Sequence, residues 1–276
     1  MIDCHTHVFP PKVAPRLVAA ISRDLGLEAA GDGSAADLLE HLDRAGMDKA
    51  LCFTAALRPD QMIPANSWMI SLGRSHPRLI PLGAVHPDHP SWESELARLE
   101  QSGIRGLKIH PDLSEIPLAS PRWNPVWEAV CGRFAVMLHM GPVREGGQTL
   151  SRPRDLAGVL LNFPGLEVIA AHLGGLFQWE ETLAHLAGRD VFMDTSCCPG
   201  VVPEQTLAEI LKRHDPERIL FGSDYPLFAP ERERATLSDL LTRIGVPPER
   251  VLDNGAGLAK RLQISGCPDV TPSSRH

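Results

Sequence analysis

Gly106-Leu107-Lys108-Ile109-His110-Pro111 is the stretch on which the reading of this chain turns. A short apolar run rich in branched residues and stopped by proline reads as a strand. Side chains alternate along a strand, so Leu107 and Ile109 face one way while Lys108 and His110 face the other. The apolar pair suits contact with an outer layer of helices. The polar pair then points inward, where a strand interior should be aliphatic.

Seven further runs of the same kind flank it: Ile2–Val8, Lys49–Ala55, Leu79–Val85, Phe134–Met140, Leu166–His172, Asp190–Thr195 and Arg218–Asp224, with the quoted stretch lying in Gly103–His110. Helical patterns separate them. Ser34 is placed to cap Ala35–Ala45 and Ser91 to cap Trp92–Gln101, while Pro203 opens Glu204–Arg213. Gly46, Gly103 and Gly188 stand where helices need a left-handed closing residue. Pro64–Ser75, Pro125–Gly132, Arg154–Asn162, Trp179–Ala187 and Glu231–Ile244 complete the helical set. Strand starts fall roughly 20 to 50 residues apart, near the βα unit length of about 30. Eight such units without a long linker predict an α/β fold, a single-domain (β/α)8 TIM-type barrel over residues 1–264, with 265–276 as a C-terminal tail. A doubly wound sheet uses the same units and is the alternative.

The chain has 276 residues, 43% hydrophobic and 22% charged, which excludes a disordered chain. Its 23 Gly and 25 Pro are spread out and punctuate many short elements. A net charge of −7 without a basic stripe argues against nucleic acid, and no apolar stretch is long enough to span a membrane. The six cysteines have no CxxC spacing and Met1–His7 is too polar for a signal peptide, so a reduced, cytoplasmic setting is expected.

Chemistry collects at one end of the eight runs. His5 and His7 end the first, Lys108 and His110 the fourth, His139 the fifth, His172 the sixth and Asp224 the eighth. In a barrel that end carries the active site. Buried polar groups need partners, and a metal supplies one. Histidines with a carboxylate suit catalytic Zn²⁺, with Mn²⁺, Fe²⁺ or Co²⁺ as alternatives. Lys108 has two readings: a neutral amine able to become a carbamate bridging two ions, or a cation holding a substrate carboxylate or phosphate. His86, after the third run, could line the mouth. His41, His76, His89, His185, His214 and His276 are expected at the surface, and Trp68, Phe177 and Phe228 in packing.

Ile2-Asp3-Cys4-His5-Thr6-His7, Gly106 to Pro111, Leu138-His139, Ala171-His172-Leu173-Gly174-Gly175 and Phe221-Gly222-Ser223-Asp224-Tyr225-Pro226 together resemble the amidohydrolase superfamily. Within it the chain is most similar to the amidohydrolase-2 group, which includes aromatic-acid decarboxylases and lactonases. The resemblance implies a distorted barrel with one or two divalent ions. It assigns His5, His7, His139 and Asp224 to a mononuclear site, and His139, His172 and a bridging Lys108 to a second ion. In mononuclear relatives His172 instead faces the bound water or substrate. Homo-oligomers are a family-level expectation.

The expected activity is hydrolysis of an amide, lactone or ester carbonyl of a small, carboxylate-bearing substrate by a metal-activated water. Asp224 would serve as general base and then acid, and His172 would stabilise the developing oxyanion. His110, Arg144, Arg58 and His86 are the candidate substrate contacts, the two arginines as carboxylate clamps. The rival reaction is metal-dependent, non-oxidative decarboxylation of an aromatic or muconate-type acid. A non-catalytic binding protein on the same barrel is the remaining alternative. The little room between the first two runs favours the hydrolase.

Overall fold

A computed structural model describes residues 1–262. The expected tail at 265–276, and the barrel's boundary at 264, lie outside the described residues. The elements run β1 (Ile2–His7), α1 (Ala14–Leu25), α2 (Ala35–Ala45), β2 (Lys49–Phe53), α3 (Met62–Ser75), β3 (Leu79–Ala84), α4 (Trp92–Gln101), β4 (Gly106–Ile109), α5 (Asn124–Val130) and β5 (Ala135–Leu138). They continue with α6 (Pro153–Asn162), β6 (Glu167–Ala170), α7 (Trp179–His185), β7 (Phe192–Asp194), α8 (Glu204–Arg213), β8 (Ile219–Leu220), α9 (Pro230–Arg243), α10 (Glu249–Leu252) and α11 (Gly255–Leu262).

The eight strands pair in sequence order, all parallel. Beyond β8 the chain closes on β1: Cys4 N donates to Phe221 O at 2.8 Å, Asp224 N to His5 O at 2.8 Å and His7 N to Tyr225 O at 2.7 Å. The result is a nearly closed, single-domain (β/α)8 TIM barrel, as the spacing of the runs predicts. Closure beside His5 depends on Gly222, where a Cβ would stand 2.7 Å from that of His5.

Strand alternation sorts the core into two layers. Leu107, Ile109, Val136, Leu138, Val168 and Ala170 pack outward with the helices. Leu51, Phe53, Ile80, Leu82, Met137 and Ile169 pack inward. β1 breaks the simple rule. Ile2 and Cys4 belong to the inner cluster, which by period two would turn His5 and His7 outward. The β1–β2 register shifts between Asp3 and Thr6, and this bulge returns both histidines to the interior. α11 covers the N-terminal end. Gly255 lies against Ile2 and Cys4, Leu262 against Gly106, and Arg261 pairs with Glu167 at 2.7 Å.

Local signals mostly act as expected. Ser34 Oγ accepts from Asp37 N at 3.1 Å and caps α2, and Gly46 closes it at φ 64°. Ser91 precedes α4 but does not cap it through its side chain, because its backbone is not extended (φ −111°, ψ 23°). His41 and His214 are buried rather than at the surface. His41 Nδ1 meets Glu231 Oε2 at 2.9 Å, and His214 Nε2 donates to Val191 O at 3.0 Å.

Candidate active site

At the C-terminal end of the strands lies a cavity of about 420 Å³. Its floor is His5, His7, Lys108, His139, His172 and Asp224, which are the six residues singled out as metal ligands in the sequence. His5 and His7 come from β1. Lys108 comes from β4, and His139 follows β5 on the same inward parity as Ala135 and Met137. His172 and Asp224 do not end strands, as the sequence reading had it. They lie two and four residues past β6 and β8, in left-handed backbone at φ 60° and 65°. Residues with a β-carbon are held there at a cost of about 1 kcal/mol or more, a strain that collects at functional sites.

The contacts are close. Asp224 Oδ1 lies 3.2 Å from His7 Nε2 and 3.4 Å from His5 Nε2. Lys108 Nζ donates to His5 Nε2 at 3.5 Å and sits 4.5 Å over the Phe53 ring. His172 Nε2 and His139 Nδ1 are 3.1 Å apart, and the His110 ring stacks on that of His139 at 3.8 Å. Two groups of donor atoms fall within 4.8 Å of one another: His5, His172 and Asp224, and His110, Asp112 and His139.

Electrostatics decide whether this floor suits a divalent cation. Burial, with Lys108 close by, pushes His5 down to about 4. Burial also lowers His172, and lowers His139 strongly with His110 alongside, so all three imidazoles are neutral at pH 7. Burial alone would raise Asp224, but His5 and His7 hold it ionised, well below the usual carboxylate range. Burial brings Lys108 down to about 8. His139 Nε2 is buried without a hydrogen-bond partner. Neutral imidazoles, an ionised carboxylate and an orphaned ring nitrogen fit a divalent metal.

Of the expected substrate contacts, His110 and Arg144 line the cavity. Arg58 does not reach it. The chain turns outward after β2, leaving Arg58 exposed with its Nε donating to Asp60 Oδ1 at 3.2 Å. His86 does not reach it either. It is buried against its own loop, accepting from Asp88 N at 3.3 Å. The walls come largely from Phe9, Ile21, Leu25, Leu113, Leu176 and Leu227, so α1 is part of the site. Sequence reading missed that helix, although Leu17, Ile21 and Leu25 repeat at helical spacing and Gly26 closes it at φ 68°. It also missed Asp3, which accepts from His5 N at 3.1 Å and Ser223 N at 3.0 Å, and Asp194, which accepts from His5 Nδ1 at 2.8 Å. Both read as ordinary strand residues, and no local pattern marks them.

A larger groove of about 750 Å³ lies at the opposite end, beside Phe192. Its arginines Arg189, Arg218 and Arg261 are spent on His185 O, Asp190 and Glu167.

Solved structures share the fold. An uncharacterised TIM-barrel protein from Bordetella bronchiseptica aligns with a TM-score of 0.70 at 18% identity, covering 95% of this chain and 98% of the other. A 5-carboxyvanillate decarboxylase from Sphingomonas paucimobilis gives 0.66 at 18%, covering 96% and 99%. A putative 2-pyrone-4,6-dicarboxylic acid hydrolase from Pseudomonas putida gives 0.64 at 19%, covering 94% and 97%. No curated protein matches the chain. The profile of the Amidohydro_2 family, described as amidohydrolase, matches residues 2–252, a span that contains every residue of the cavity floor. The fold, the histidine and aspartate floor and this match agree, and the chain belongs to the amidohydrolase family.

Proposed function

We propose that the protein is a metal-dependent hydrolase acting on an amide, lactone or ester carbonyl of a small substrate that bears a carboxylate. The observation that carries this reading is Asp224. Its carboxylate stands at the floor of the cavity, with Oδ1 3.2 Å from His7 Nε2 and 3.4 Å from His5 Nε2. His5, His7, His139 and Asp224 would hold one ion, and His172 with Lys108 would complete a site for a second. Zn²⁺ is the expected metal, since imidazole and carboxylate suit it. A divalent cation held there supplies Lewis acidity to the carbonyl and to the attacking water.

The chain's own groups do the rest. Asp224 takes the water's proton and returns it to the leaving group, as general base and then acid. His172 would serve as a ligand of the second ion rather than as a donor to the carbonyl oxygen, because its Nδ1 faces Ser196 O and its Nε2 is left without a proton. Arg144, exposed at the lip, receives the substrate carboxylate. The apolar walls take up the body of the substrate and exclude water from the floor.

Decarboxylation of an aromatic acid is the second reading, favoured by those apolar walls and by the decarboxylase named among the structural neighbours. One experiment separates the two: the metal-loaded protein is offered carboxylate-bearing amides, lactones and esters beside a panel of aromatic acids. Hydrolysis without CO₂ release is the expected result. CO₂ from any acid, with no hydrolysis of the others, would overturn the hydrolase reading.

A further inference from the structure

The end of β7 and the loop after it touch three separate side chains of the site. Asp194, the last residue of β7, accepts from His5 Nδ1 at 2.8 Å. Ser196 meets His172 Nδ1 through its carbonyl oxygen at 3.0 Å and its Oγ at 2.9 Å. Cys197 Sγ donates to Asp224 Oδ2 at 2.8 Å. The Ser196 hydroxyl proton goes to Asp194, so Oγ is left to accept.

These contacts carry directional information. A carbonyl and a carboxylate only accept, so His5 and His172 must carry their protons on Nδ1. The Nε2 lone pair of each is then left on the inner side, towards Asp224 and His139 respectively. A thiol on Asp224 Oδ2 leaves Oδ1 for the side of His5 and His7. The loop itself is held firmly. Asp194 Oδ1 also accepts from His172 N at 3.1 Å and Ser196 N at 3.0 Å. Cys197 is fixed in left-handed backbone at φ 58°, a conformation a β-carbon disfavours, and this conformation accompanies the thiol's contact with the carboxylate.

We propose that Asp194, Ser196 and Cys197 form one positioning set, which selects the nitrogens of His5 and His172 and the oxygen of Asp224 that face the centre. Cys197 is the member that nothing in its residue type announces. Its consequence for metal affinity rests on the reading of the site given above; the selection of ring nitrogens does not. Partners of this kind, one bond removed from a ligand, typically change metal affinity by about 10- to 100-fold when lost.

The test uses the whole chain. Cys197→Ala should weaken Zn²⁺ affinity by about 10- to 100-fold in competition with a chromophoric chelator, with an unchanged circular dichroism spectrum. Cys197→Ser keeps a donor at the same place and should stay within about threefold of the parent. In metal-free parent protein, ¹⁵N resonances should show His5 and His172 protonated on Nδ1. Wild-type zinc affinity in Cys197→Ala would overturn the role of the thiol. Protonation of either ring on Nε2 would overturn the selection by Asp194 and Ser196. Failure of the parent protein to take up any divalent metal would sink the functional reading, while the nitrogen resonances would still decide whether the loop sets the rings.

Discussion

Glu233 offers a worked test of the electrostatics behind the site. It lies on α9, buried, near the charges of Asp224 and Asp3, and burial together with Asp224 raises its carboxyl from 4.5 to about 7. The folded protein therefore holds this proton more tightly than the unfolded chain does. The stabilising contribution is complete below the unfolded value near 4.5 and is lost as the pH rises through about 7. At about 1.4 kcal/mol per pH unit, the change across that window is on the order of 3 kcal/mol. Glu233→Gln keeps the shape and cannot ionise. Urea unfolding of parent and variant should therefore give similar midpoints near pH 4.5, and above pH 7 the variant should be more stable by up to about 3 kcal/mol. Asp3, also raised to about 7 by burial, is present in both proteins, and its repulsion of Glu233 is part of what the difference reads. Adding a divalent metal should narrow the gap, because a cation on Asp224 offsets the charge that opposes ionisation of Glu233. A stability difference that does not change between pH 4.5 and 8 would refute the reasoning.

Asp224→Asn should lower kcat by about 10²- to 10⁴-fold in a steady-state assay, because the proton acceptor is lost while the fold persists by circular dichroism. Arg144→Ala should raise KM for carboxylate substrates about tenfold with kcat little changed, whereas Arg58→Ala, paired with Asp60 outside the cavity, should leave both untouched. Trp127→Ala removes a fully buried ring stacked on Trp123 at 5.3 Å and should destabilise by about 3–5 kcal/mol in a urea titration.

The barrel was legible because its strands are buried on both faces and so read as short apolar runs between helical patterns. Ala35–Ala45, Trp92–Gln101 and Glu204–Arg213 match helices in the structure residue for residue, each opened by serine or proline. The six floor residues stood out because polar side chains recur at one end of those runs. What escaped depends on distance along the chain. Asp194 is defined by His5, 189 residues away, and Cys197 by Asp224, 27 residues away. The bulge in β1 is set by pairing with β2, which alternation within β1 cannot reveal. α1 escaped because Ala14 alone of its residues is buried, and its Ile21 and Leu25 line the cavity instead of packing in the core. Arg58 and His86 were drawn towards the mouth by following strands, but each loop turns its side chain to a neighbouring aspartate, Asp60 or Asp88.

Metal content is the most direct test of the central claim that these residues form a metal-dependent hydrolytic centre. The protein purified without chelator should carry about one or two equivalents of a divalent metal by elemental analysis. Chelation should abolish hydrolysis of carboxylate-bearing esters, lactones or amides, Zn²⁺ should restore it, and Asp224→Asn should lower the metal content. Hydrolysis that persists in protein shown to hold no metal, or parent protein that takes up no divalent ion, would contradict the account.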